Sequence, residues 1–188
     1  AALADSAGGR VFSCVEFSVK GGPDSFGSLI RSAEIFHKPY RSCILGMESR
    51  TSTLLPAPLF DERRLPDYLS LGQDIPAGHT LRKDELPGSD IVNAYSLPQD
   101  LLSALLSHLS PARIVHYKTA LLAGFSMAAR RSAADGLVCC HIRHGRLDLA
   151  VFRSGKPVFS NSFLFSNRDE LVYYILFVLD QLGMNPVE

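Results

Sequence analysis

The segment Gly9-Arg-Val-Phe-Ser13, continued by Phe17-Ser18, returns late in the chain as Gly155-Lys-Pro-Val-Phe-Ser160, continued by Phe165-Ser166. Each copy is preceded by a short apolar stretch ending in a polar turn, Ala2 to Asp5 in one case and Leu149 to Arg153 in the other. Each is followed by a helix start and an apolar or amphipathic run, Phe26 to Phe36 and Leu171 to Leu182. A strand–turn–strand–helix unit used twice predicts an internally duplicated α/β fold, because a repeated unit constrains the architecture before any single residue does.

The 188 residues suffice for one large domain or two small lobes with a real core. Nineteen basic residues balance nineteen acidic ones, so no global field draws the chain to nucleic acid or an anionic membrane. Charge is uneven locally. Arg130, Arg131, Arg143, Arg146, Arg153 and Lys156 face only Asp135 and Asp148 over the same stretch. Most of them fall at expected turns and hairpin tips, where a solvated rim is the default and a phosphate or nucleic-acid contact the alternative. Of the four cysteines, three lie in apolar strand-like runs, and nothing resembles a disulfide framework or a secretory signal. The longest apolar run, Leu171 to Leu179, is about half of a membrane span. A cytoplasmic protein in a reducing compartment is expected.

Along the chain, Gly8-Gly9 marks a turn into a strand over Val11 to Val19. A helix with Phe26, Leu29, Ile30 and Ala33 on one stripe follows, then a buried strand from Ser42 to Met47. Pro56 and Pro58 confine Thr51 to Phe60 to an edge or surface path. Residues 61–90 are polar and rich in Pro and Gly, too long for an ordinary connection, and are expected to form an excursion with short elements. Ile91 to Tyr95 reads as a strand, and Pro98 suits the first position of a helix carrying Leu101, Leu102, Leu105, Leu106 and Leu109. A strand over Arg113 to Tyr117 and a helix over Thr119 to Arg131 come next. The second unit has strands at 137–142, 147–152 and 158–165, with turns at Arg143-His144-Gly145 and Ser154-Gly155. Ser166 or Asn167 caps its helix, with Asp169 or Glu170 completing a capping box. That helix is apolar almost all round and is expected to be covered on most sides. The pattern predicts two lobes: residues 1–90, lacking an opening strand, and residues 91–188, holding connecting helices and a second lobe without its last strand. Both ends are therefore expected to be truncated.

Three antiparallel strands, a helix and a strand, present twice, resemble the plan of the actin-like ATPase, or ribonuclease H-like, fold. Several stretches resemble an uncharacterised bacterial family of that fold: Leu54-Leu-Pro-Ala-Pro-Leu-Phe-Asp-Glu62, Asn93-Ala-Tyr-Ser-Leu-Pro98, Val115-His116 and Asn161-Ser-Phe163 with Asp169-Glu-Leu-Val-Tyr-Tyr174. The resemblance implies two lobes of mixed sheet with flanking helices and a nucleotide cleft between them. Proteins of this fold hold phosphates and magnesium with an Asp and close backbone amides at the first turn of each lobe, because charge on a transferring phosphate must meet a metal and oriented donors. In the second lobe that turn is Cys140-His-Ile-Arg-His-Gly145, which has no Asp and a single Gly. The first would precede Ala1. The expected function is thus non-catalytic, a protein-interaction or assembly module with an unidentified protein partner and no cofactor. The alternative is an ATP-binding or ATP-hydrolysing protein, with Mg, whose contacts would be His141, Arg143, His144, Gly145, Arg146 and Asn161.

Other chemistry is thinly supported. Cys139 and His141 share a strand face while Cys140 points away, and no second ligand pair occurs at zinc spacing. Gly124-Phe-Ser126-Met-Ala128 resembles a nucleophile elbow but sits inside a helical pattern. Glu16 and Asp148 are the strand acids on offer, too few for nuclease chemistry. Asn161 is a candidate buried polar residue, bonded across strands or to a ligand. His37, His79, His108 and His116 are expected to be satisfied or surface histidines.

Overall fold

The structure is a computed structural model that describes residues 2–4, 11–14, 23–38, 40–109, 112–143 and 145–184. The chain divides into two compact units, Ala1–Asp84 with Val92–Tyr117, and Glu85–Ile91 with Lys118–Glu188. The first copy of the sequence repeat falls largely outside the described residues. Its described parts are β1 (Ala2–Ala4) and β2 (Val11–Cys14), which pair antiparallel.

The first unit continues with α1 (Pro23–Ser32), β3 (Cys43–Met47), β4 (Ser52–Pro56), α2 (Leu65–Ser70), β5 (His79–Glu85), β6 (Ile91–Pro98), α3 (Gln99–His108) and β7 (Ala112–His116). β3 runs parallel to β7 with Leu45 opposite Ile114. A second sheet has the order β4-β6-β5, so the proline-limited β4 is an edge, as its sequence requires. β6 is buried over Val92 to Leu97 because both its faces are covered. Tyr95 and Leu97 pack with Met47, Leu102 and Ile114, whereas Ala94, pointing the other way, packs with Leu65 and Leu69 of α2. The polar stretch 61–90 thus contains α2 and the seven-residue β5. β5 is poor in apolar residues because it too is an edge strand. β6 also runs on to Pro98, which caps α3 from outside rather than occupying its first turn.

The second unit consists of α4 (Tyr117–Arg131, its first residue belonging to the first unit), β8 (Gly136–Arg143), β9 (Arg146–Arg153), β10 (Lys156–Leu164) and α5 (Arg168–Gln181). The three strands form an antiparallel meander in the order β10-β9-β8. Leu147, Leu149 and Val151 of β9 pack under α5 through Val178, Leu171, Tyr174 and Ile175. α5 starts on a capping box: the Asn167 carboxamide accepts the Glu170 N–H, and the Glu170 carboxylate accepts the Ser166 N–H. The expectation that α5 is covered on most sides is corrected here. Val172, Tyr173, Leu176 and Phe177 form an exposed apolar stripe on its outer side, with Tyr173 59% accessible. No helix among the described residues is long and apolar enough to cross a membrane.

Candidate functional site

The short turn at the β8–β9 hairpin sets which side chains meet. Arg143 stands opposite Arg146, and two residues further along His141 stands opposite Asp148. Gly145 closes the turn at φ +72°, and a Cβ there would lie 3.0 Å from the Phe165 carbonyl oxygen, so a close approach and a left-handed backbone both demand glycine. The β9–β10 hairpin starts in regular register, Arg153 opposite Lys156 and Phe152 opposite Pro157. The register then shifts past Val158, and Phe159 pairs with Val151. This bulge carries Ser162, rather than Asn161, to the position opposite Asp148.

Asp148 is consequently the centre of a buried cluster, itself 4% exposed. Arg146 Nε donates to its Oδ1 at 3.1 Å, and Arg146 Nη2 donates to Ser162 Oγ at 3.1 Å. Ser162 Oγ in turn donates to Asp148 Oδ1 at 2.6 Å. His141 Nδ1 lies 3.9 Å from Oδ2. Lys118, at the start of α4, belongs to the same electrostatic group. Burial, then the Arg146 charge, pushes its ammonium below the usual lysine range, while Asp148 pulls it back up. The cluster therefore sets two cations, Arg146 in contact and Lys118 in the same electrostatic group, about the Asp148 carboxylate.

Of the expected contact residues, His141, Arg143 and Arg146 share this face, with Gly145 shaping the turn beside them. His144 lies outside the described residues. Asn161, expected as a buried polar residue, is instead exposed: it stands opposite Leu149 on the other face of the sheet, and its Oδ1 accepts the N–H of Ser162. The bulge is the reason. In sequence Asp148 shows only as a strand acid, and nothing local marks Ser162 or Lys118 as its partners. Hairpin counting from Gly145 would have paired His141 with Asp148, but no local signal reveals the bulge.

The donor set does not suit magnesium. That ion needs carboxylate or phosphate oxygens open to it in octahedral geometry. Here the Asp148 carboxylate already receives a guanidinium and a hydroxyl, and Lys118 belongs to the same electrostatic group. Among the described residues no three His, Cys, Asp or Glu side chains converge as a metal group. Cys139 and Cys140 are poor nucleophiles, since burial pushes both thiols up, Cys139 further through its neighbour. Ser126 is buried within α4, away from any strand-to-helix turn. An open, polar hollow of about 450 Å³ lies where the end of α4 meets the β9–β10 turn, lined in part by Arg130, Asp135 and Ser154.

A second buried network occupies the first unit. Asp84 accepts from Tyr95 Oη at 3.0 Å on one oxygen and from the His116 backbone N–H at 2.6 Å on the other. The His116 ring lies tilted against the Tyr95 ring at 4.8 Å, and its Nε2 receives the Ser49 N–H at 3.2 Å. The Asn93 carboxamide nitrogen lies 3.1 Å from its Nδ1. His79 Nδ1 meets Ser96 Oγ at 2.9 Å. His116 and His79 are thus satisfied histidines. Burial first, then the Asp84 charge, raises the Tyr95 phenol to about 12. Asn93, Tyr95, Ser96 and His116 are buried, so the network specifies packing around β6 and β7.

Comparison with solved structures gives the class of this architecture. A crystallised protein of Bacteroides thetaiotaomicron, described as having an actin-like ATPase fold and unknown function, matches 98% of this chain and 72% of its own, with a TM-score of 0.86 at 18% identity. The chain is a mixed α/β protein with the actin-like ATPase fold. It belongs to the family described as protein of unknown function (DUF3822), whose model matches residues 8–188. Comparison with curated proteins gave no match.

Proposed function

We propose that this protein works without hydrolysing nucleotide, as a protein-interaction or assembly module built from a duplicated actin-like unit. The exposed apolar stripe of α5 carries the reading. Val172, Tyr173, Leu176 and Phe177 lie side by side on one helix, with the Tyr173 and Phe177 rings stacked at 5.8 Å. Contiguous exposed apolar surface rich in aromatic residues is characteristic of protein contacts rather than of solvated helix faces. The non-hydrolytic half of the reading is supported by Asp148, whose carboxylate is engaged by Arg146 and Ser162. Nucleotide binding without hydrolysis is the second reading, favoured by the gathering of His141, Arg143, Arg146 and Lys118 at one hairpin.

Two measurements test this. Mg-ATP is expected to leave the thermal midpoint unchanged and to release no phosphate. A ligand at a hundred times its Kd would add about 2.7 kcal/mol, so binding would be visible. Tyr173→Glu and Phe177→Glu are expected to keep the fold and its stability within about 0.5 kcal/mol, as for surface sites, and to abolish co-purification of a partner retained by the wild type. Phosphate release, or association indifferent to both substitutions, would overturn the reading, and a Mg-ATP shift without phosphate release would favour the second one.

A further inference from the structure

The exposed stripe of α5 has a charge pattern as well as an apolar one, and the two together select what can cover it. We propose that the stripe takes one amphipathic helix of a second protein, whose apolar row is bracketed by lysine or arginine about three turns apart. This deepens the interaction reading, on which it rests.

Residues four apart on a helix stand in rows. Two neighbouring rows make the outer face of α5: Asp169, Tyr173 and Phe177 in one, Val172, Leu176 and Asp180 in the other. The groove between two such rows is filled by the side-chain ridge of another helix. A strand has nothing to pair with here, because the backbone groups inside a helix are already bonded within it. The apolar side chains are closed off at each end by an exposed carboxylate, Asp169 and Asp180, about 16 Å apart along the axis. Among the described residues neither carboxylate is in an ion pair. Arg168 is exposed at the head of the second row, and Glu170 is held by the cap at Ser166, so acids outnumber bases on α5. Asp180 lies in the last turn, where the helix dipole disfavours an acid and no basic residue of α5 compensates. Arg153 reaches the same end but donates to the Leu182 carbonyl. A partner's cation would relieve that unfavourable position.

The same charges disfavour two other occupants. Two copies of α5 packed about a two-fold axis would set carboxylate against carboxylate, Asp169 facing Asp180 if antiparallel and its own copy if parallel. An anionic bilayer takes helices with lysine and arginine along the polar face, the reverse of this pattern.

The probe is a fluorescein-labelled synthetic alanine helix with leucines along one row and a lysine at each end of it. Its twin carries glutamate in both lysine places. Binding to the full chain is followed by fluorescence polarisation at low salt, where exposed charges are least screened. The lysine peptide is expected to bind about tenfold or more tightly than its twin. That preference is expected to disappear in Asp169→Asn, Asp180→Asn and to invert in Asp169→Lys, Asp180→Lys. Both variants change only exposed side chains, and the single Asp180→Asn, expected to raise the thermal midpoint, serves should either double variant unfold. Equal binding of the two peptides, no binding of the lysine peptide, or a preference unchanged by the acid substitutions overturns the proposal. Sedimentation of the chain, alone and with phosphatidylserine vesicles, examines the other occupants. A dimer or a vesicle complex that Tyr173→Glu abolishes would also overturn it, while leaving the stripe an interface. The interaction reading itself fails differently, when Tyr173→Glu and Phe177→Glu leave every one of these associations untouched.

Discussion

Tyr95 donates its hydroxyl to one oxygen of Asp84 while the other oxygen accepts the His116 backbone N–H, and each of these is a group that would be costly to leave unpaired. Tyr95→Phe removes one donor, and urea titration at neutral pH is expected to show a loss of about 1–2 kcal/mol. The raised phenol adds a pH dependence. Its folded value is about 12 against an ordinary 10, so the folded state holds the proton more tightly. The contribution is complete below pH 10 and is lost as pH rises from 10 to 12, by about 2 kcal/mol. The stability difference between wild type and Tyr95→Phe should therefore shrink across that window and not below it. Ser126 offers the opposite case. Its buried Oγ has no hydrogen-bond partner among the described residues, so Ser126→Ala is expected to raise stability by up to about 1 kcal/mol in the same titration.

At the scale of elements, two local devices hold the second unit in its register. The first is the capping box at α5, where Asn167→Ala should cost about 1 kcal/mol, measured by thermal or urea unfolding. The second is the bulge at Val158, an exposed residue that stands outside the regular pairing of β10 with β9. Deleting Val158 leaves Pro157 opposite Phe152 and Phe159 opposite Val151, so every later pair survives. The shortened chain is expected to fold with Ser162 still facing Asp148 and with unchanged amide protection in β10. Loss of that protection would mean the bulge is needed for pairing itself and not only for setting faces. β5 shows the same dependence on context from the other side. Its charged sequence, His79 to Glu85, lacks an alternating apolar pattern, yet it forms a strand because β6 offers it an edge.

Across the whole molecule, each unit is organised around one central strand buried on both faces, β6 in the first and β9 in the second. Hydrogen exchange should find the slowest amides of each unit there, with β4 and β5 faster in the first and β8 and β10 faster in the second. Leu149→Ala is expected to cost about 3 kcal/mol, as a fully buried leucine under α5, and to accelerate exchange throughout the second unit.

Much of this was legible in residue order. The hairpin turns at Gly145 and Ser154-Gly155, the α5 cap at Asn167, the edge character of β4 and the α/β fold class follow from turn chemistry, capping and periodicity, which are local. The face on which Asn161 and Ser162 stand was not. One extra residue in a strand inverts every side chain beyond it, and that residue is identified only by its partner strand. Burial of Asp148 and exposure of Tyr173 and Phe177 likewise depend on what packs against each surface. Local sequence therefore specified the elements and their turns, while tertiary pairing alone decided which side chains meet, because a contact between strands or layers is a property of both partners.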